Sequence, residues 1–119
     1  MNYIIEEIFK ILTQVHERVY QIEADEDAEY PFLTFAIKTG YEEERKFIDT
    51  LAVEVWDEKE ETTDIEDLAD KIKKILDHKI IDTEKINTVV YIDTRKNPTE
   101  TKDEVNCREL RFELHTYFK

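Results

Sequence analysis

Residues 51–76, LAVEVWDEKEETTDIEDLADKIKKIL, change their hydrophobic period within one stretch. Leu51, Val53 and Val55 alternate with Ala52, Glu54 and Trp56, the period of two that a half-buried strand requires. Beyond the acidic stretch 57–61, Ile65, Leu68, Ile72, Ile75 and Leu76 recur at helical spacing. Thr63-x-x-Glu66 fits a capping box, in which side chains satisfy backbone N–H groups at a helix start. Asp64, Glu66 and Asp67 sit near the positive end of the helix dipole, and Lys71, Lys73 and Lys74 toward the negative end. Asp67–Lys71 and Asp70–Lys74 are four apart, the spacing of helical ion pairs. A one-sided strand that feeds an amphipathic helix points to a sheet covered by helices.

Upstream, Phe47 to Trp56 reads as the return strand of a hairpin whose first strand opens at Tyr30-Pro31. The residue before proline is pushed out of the helical region, and proline suits the first position of a strand. Leu33, Phe35 and Ile37 share one face, with Thr34 and Ala36 on the other. The charged segment Lys38 to Lys46, which holds the lone glycine Gly40, reads as a long hairpin tip. Further upstream lie a short strand at Arg18–Ile22 and an exposed acidic loop from Glu23 to Glu29. The chain opens with an amphipathic helix carrying Ile4, Ile8, Ile11, Leu12 and Val15. Glu6, Glu7 and Lys10 lie on its other side, Glu6 and Lys10 four apart.

Downstream, Thr88–Ile92 is β-branched and aromatic, and Asp93 to Asn106, with Asn97-Pro98, reads as a turn or ordered tip. The last run sets Leu110, Phe112, Leu114 and Phe118 against Glu109, Arg111, Glu113 and His115. The predicted order is α-β-β-β-α-β-β: one α+β domain over 1–119, an antiparallel sheet with both helices packed on one face.

Thirty acidic residues against seventeen basic ones give a net charge of −13, which repels nucleic acid phosphates and anionic membranes at long range. The sequence therefore predicts no specific nucleic-acid binding. No apolar run approaches the roughly 20 residues of a membrane span, and Glu6 and Glu7 interrupt what would be a secretory leader. Cys107 is the only cysteine, which excludes an intrachain disulfide and fits a reducing, intracellular compartment.

Catalytic signatures are scarce. One glycine excludes glycine-rich phosphate loops, and the absence of serine excludes a nucleophile elbow. His16, His78 and His115 lack paired metal spacing, and His115 lies eight residues from Cys107 along one strand, out of reach. Asp25-Glu26-Asp27 offers hard oxygen ligands but lacks the glycine and distal glutamate of a calcium loop. Asp57-x-Lys59 matches half of a metal-dependent nuclease site, with Asp49 or Glu54 as the second acid it would need. The expectation is no catalytic, cofactor or metal site. Trp56, alternating away from the core, and Tyr41 are the aromatic anchors a protein interface favours.

The layout resembles the small tail-terminator, or tail-completion, proteins that join head and tail in long-tailed bacteriophages and related prophages. The features that carry the resemblance are the N-terminal helix leading to Arg18-Val19-Tyr20, then Tyr30-Pro31-Phe32, the charged hairpin, Leu51-Ala52-Val53-Glu54-Val55-Trp56-Asp57, the Ile65–Leu76 helix and the final Arg108–Phe118 run. The resemblance implies a non-enzymatic homo-oligomer, commonly a hexameric ring, capping the tail tube. Its implied partners are the tail tube protein and the head connector. It implies residence in the bacterial host cytoplasm during assembly and then in the virion tail. Hairpin tips that contact neighbouring subunits map onto Lys38–Lys46, with Lys38, Tyr41, Arg45 and Lys46, and onto Arg95–Asp103, with Arg95 and Lys96. Their basic residues, Lys102 included, would pair with an acidic loop such as Asp25–Glu29 of the next subunit. Two competing readings are an acidic DNA mimic that binds a basic host protein and the nuclease centred on Asp57 and Lys59.

Overall fold

The computed structural model describes residues 2–58, 63–96 and 106–119. The elements are α1 (Asn2–Val15), β1 (Val19–Gln21), β2 (Phe32–Glu43), β3 (Lys46–Asp57), α2 (Thr63–Leu76), β4 (Ile80–Asp82), β5 (Ile86–Lys96) and β6 (Asn106–Phe118). Six strands form one sheet in the order β1-β2-β3-β6-β5-β4. The α+β class and both helices stand as the sequence predicts.

The core forms where the two periodicities meet. Ile4, Ile8, Ile11 and Leu12 of α1 are buried together with Ile65, Leu68, Ile72 and Leu76 of α2. Beneath them lie Leu33 and Phe35 of β2, Leu51, Val53 and Val55 of β3, Val90 of β5, and Leu110, Phe112 and Leu114 of β6. Each strand contributes every second residue, so both helices cover one face, and among the described residues no helix lies on the opposite, open face. Each such side chain contributes about 1.5–3 kcal/mol when fully buried.

The sheet is mixed rather than antiparallel, because β1 pairs parallel to β2, with Val19 beside Leu33 and Gln21 beside Phe35. Residues 22–31 carry the chain back to the end where β1 began. The return is pinned at the Pro31 carbonyl oxygen, which accepts from Arg18 Nε at 3.0 Å and lies 2.7 Å from His16 Nε2. The Tyr30–Pro31 peptide is cis.

The sequence reading also lacks β4. Ile80–Asp82 is too short to show a period, and it pairs along Asn87–Val89 of β5. His78 takes a positive φ of 63° just past α2, the left-handed residue that ends a helix. Its N–H donates to the Val90 carbonyl at 2.7 Å, which lays the turn directly on β5.

The predicted tip at Lys38–Lys46 is mostly strand. β2 and β3 stay paired to Glu43 and Lys46, leaving Glu44 and Arg45 as a two-residue turn with φ of 47° and 73°. Positive φ at both central residues is the geometry whose twist matches a hairpin. Gly40 lies in a bulge, at the register shift between Lys38 and Tyr41. A Cβ there would sit 1.8 Å from the Ile48 carbonyl oxygen, so only glycine fits. Asp93–Lys96, expected in a turn, belong to β5. Lys59, the Thr63 side chain, Asn97-Pro98 and the rest of the second tip through Lys102 and Asp103 lie outside the described residues.

Glu66 of α2 reaches across to the sheet. Its Oε2 accepts from Arg95 Nη2 at 2.6 Å, and its Oε1 accepts from Arg108 Nε. Asp70 Oδ1 accepts from Arg95 Nη1 at 2.5 Å. These bonds tie α2 to β5 and β6. In α1, Lys10 meets Glu7 at 3.6 Å, one turn position from the Glu6 expected to pair with it.

Candidate functional site

Cross-strand register fixes what the open face displays. Thr34 lies opposite Glu54, and Glu54 opposite Glu109, so the middle of that face carries two carboxylates side by side. Like charges directly opposite destabilise a sheet. Arg111 Nε donates to Glu109 at 2.5 Å, while among the described residues Glu54 receives only the long Cys107 Sγ contact at 3.8 Å. Burial, and then the Glu109 carboxylate, hold the Glu54 carboxyl above its ordinary value of 4.5.

Aromatic rings flank this charged centre. The Phe32 ring lies 5.0 Å from Tyr30, 5.9 Å from Tyr20 and 6.4 Å from Trp56. Trp56 is half-buried, and its Nε1–H donates to Thr34 Oγ1 at 3.2 Å. It therefore covers the sheet and shows one side to solvent. Across the sheet, Tyr91 lies 4.9 Å from His115 and 5.5 Å from His78, both edge-on.

The residues expected at an interface fall into three places. Lys38, Tyr41, Arg45 and Lys46 share the hairpin. Lys38 and Tyr41 lie opposite Thr50 and Ile48, and the bulge between them keeps both on the open face. Tyr41 is 60% exposed, and Arg45 stands in the turn, just beyond the Lys46–Tyr117 pair that ends β3 against β6. Trp56 sits at the far end of β3. Lys96 is exposed at the end of β5, opposite Glu109. Arg95 is engaged within the chain, because an irregularity between Ile92 and Thr94 turns it to the covered side, opposite Leu110, where α2 holds it.

The acids of the nuclease reading do not converge. Asp49 and Asp57 are eight residues apart on β3, roughly 27 Å by strand rise, and Glu54 points through the opposite face. Asp49 is buried and its Oδ1 accepts the Gly40 N–H at 3.0 Å. Asp57 is 1% exposed, and neither of its carboxylate oxygens has a hydrogen-bond partner among the described residues. Among the described residues, no group of three or more His, Cys, Asp or Glu side chains is arranged to hold a metal ion. Cys107 faces the open side, but it is buried and its thiol is pushed up to about 12 by burial and by Glu54. Arg108 points to the other face and serves Glu66, and its charge lowers the thiol less than burial and the two carboxylates raise it.

Sequence reasoning missed the exposed apolar side chains Phe9, Ile22 and Ile80, of which Ile22 is 71% and Ile80 61% exposed. Phe9 lies off the apolar stripe of α1, which was the available signal; Ile22 follows the three-residue β1 and Ile80 opens the three-residue β4, and neither carried one. No helix among the described residues is long and apolar enough to cross a membrane.

No protein-family model and no curated protein sequence matches this chain. Its fold is similar to a chain of a solved structure described as "Virion of native gene transfer agent (GTA) particle", with a TM-score of 0.70. The likeness covers 88% of this chain and 83% of that one at 9% identity, and it shows a shared fold.

Proposed function

We propose that this chain is a non-enzymatic structural subunit of a phage-like particle. It assembles as a homo-oligomeric ring, commonly a hexamer in the family it resembles, on the head-proximal end of a tail tube. There it stops tube growth and meets the head connector. The observation that carries the reading is the fold likeness, over most of both chains, to a component of a gene transfer agent virion. The layout of strands and helices that resembles tail terminators points the same way, now with a sheet whose one face no helix or strand among the described residues covers. The hairpin supports it too, because Lys38 and Arg45 are exposed basic groups at the β2–β3 end of the sheet in an acidic chain. A ring requires that one surface of a subunit meet a different surface of its neighbour.

The test is native mass over a range of concentration and salt, alone and with the tail tube protein. One discrete ring is the expected result. A strict monomer under all of these conditions overturns the reading. Arg45→Glu with Lys46→Glu should weaken assembly while leaving the monomer folded.

A further inference from the structure

We propose that the two outer edges of the sheet are complementary halves of one contact between copies of this chain, the β1–β2 edge of one copy seating against the β4–β5 edge of the next. The inference rests on the assembly reading above and specifies its surfaces.

Both edges are thinly covered. β1 pairs only with Leu33–Phe35, so Ala36–Glu43 of β2 have no outer strand among the described residues. β4 shields Asn87–Val89 of β5, and Asp77, His78 and Lys79 occupy the Val90 backbone and the Ile92 N–H, so Asp93–Lys96 have no outer strand among the described residues. Uncovered edges of this length invite pairing with another chain unless something occupies them.

The two edges also display apolar side chains that the fold leaves unused. Phe9 is 43% and Ile22 71% exposed beside β1, and Ile80 is 61% exposed on β4. Ile22 is a β-branched residue at a φ of 72°, a region such residues rarely adopt. Its strained backbone holds an apolar side chain out in solvent, and strain of that kind marks functional positions. Next to it, Ile5, Phe9 and Phe35 line an open groove of about 330 Å³, room for an aliphatic side chain.

Charge distinguishes the edges and orients the contact. The loop leaving β1 exposes Glu23, Asp25, Glu26, Asp27 and Glu29 with no basic residue among them. The β4 edge exposes Lys79 and Lys85, with Lys73 exposed at the end of α2. Asp82 on that edge is neutralised by Lys119 at 2.6 Å, leaving Glu84 as its exposed acid. Acid on one edge and base on the other attract unlike edges and repel acidic like ones. Because β1 and β4 lie at opposite ends of the strand order, the contact is head-to-tail and repeats from copy to copy.

Cross-linking tests the pairing in the full chain. Glu23→Cys and Lys79→Cys are placed together in one variant and singly in two others, then treated with a short bismaleimide. Cys107 stays silent, since its buried thiol is pushed up to about 12. The double variant should give a ladder of covalent multimers, an equimolar mixture of the two single variants should stop at dimers, and each single variant alone should give none. Lys79→Glu with Lys85→Glu, in a chain carrying Glu23→Cys and Ile80→Cys, should cut the ladder at least roughly tenfold. Adding Glu26→Lys with Asp27→Lys should restore it. Single variants that cross-link as well as the double one overturn the proposal. So does a discrete assembly by native mass that yields no ladder, and that result leaves the assembly reading standing. A chain that gives no ladder and remains a monomer with its tube overturns both.

Discussion

The two faces of β3 are built by opposite rules. On the covered face, Leu51, Val53 and Val55 are fully buried under the helices, and their neighbours on β6, Leu110 and Phe112, are buried with them. On the open face, Ala52 and Trp56 alternate with Glu54, which stands opposite another glutamate. Apolar alternation alone fixes the first face, so its residues are interchangeable in kind. The second face carries a repulsive pair, half-buried aromatics and a hairpin lined with charge, none of which the isolated fold requires. Stability lives on one side of the strand, and the surfaces available for recognition live on the other and at the edges.

Breaking the covered face should have the largest effect. Phe112 is completely buried in the middle of β6, facing Leu51 across the sheet and Ile92 on β5. Phe112→Ala should cost about 3–5 kcal/mol, through lost transfer energy and the cavity left behind. Urea denaturation measures it as a lower midpoint at unchanged slope. A loss below about 1 kcal/mol would mean that the site collapses freely and that the two faces differ less than their burial implies.

The ends of the covered face sharpen the contrast. Asp49 and Asp57 close the same stripe, 3% and 1% exposed, yet Asp49 accepts the Gly40 N–H and Asp57 has no partner among the described residues. A buried acceptor left unsatisfied costs about 1–3 kcal/mol. Asp57→Val, which continues the stripe, should therefore raise stability by about that amount. Asp49→Val should lower it by about 1 kcal/mol, because it strands the N–H of the bulge. The pair of denaturation curves decides it: two shifts of the same sign would show that burial, not partnership, sets the cost of these carboxylates.

The sequence showed this stripe but not its ends. Periods of two and 3.6 made β3, β6 and α2 legible, since each is long enough to repeat. β1 and β4 have three residues each, so neither the parallel pairing nor the sixth strand could be read from alternation. Bulges hid the rest. A one-residue irregularity after Ile92 carries Arg95 from the face that alternation assigns it to the face where Glu66 and Asp70 lie. The single glycine was a visible mark, but a turn and a bulge both call for glycine, and here the turn is formed by Glu44 and Arg45 instead. Of the candidate interface, the hairpin residues were legible as charge and the exposed edge residues were not, because exposure of an isoleucine depends on strands that end beside it.

The smallest effect tests the open face by itself. Burial first, and the opposed Glu109 second, raise the Glu54 carboxyl above its ordinary 4.5, so its ionised form is the less stable one in the fold. A raised folded value gives stability that is full below 4.5 and is lost as pH climbs through that folded value. Glu54→Gln removes the charge and keeps the shape. At neutral pH the variant should be more stable than the parent by a few tenths of a kcal/mol, the scale of one cross-strand pair. The advantage should fade as pH falls toward 4.5, where the parent carboxyl takes up its proton. Chemical denaturation of both proteins at pH 7.5 and pH 4.5 would read the difference. An advantage that persists unchanged at the lower pH would assign it to packing around Thr34 and Cys107, and the repulsive pair would then be no part of what sets the open face apart.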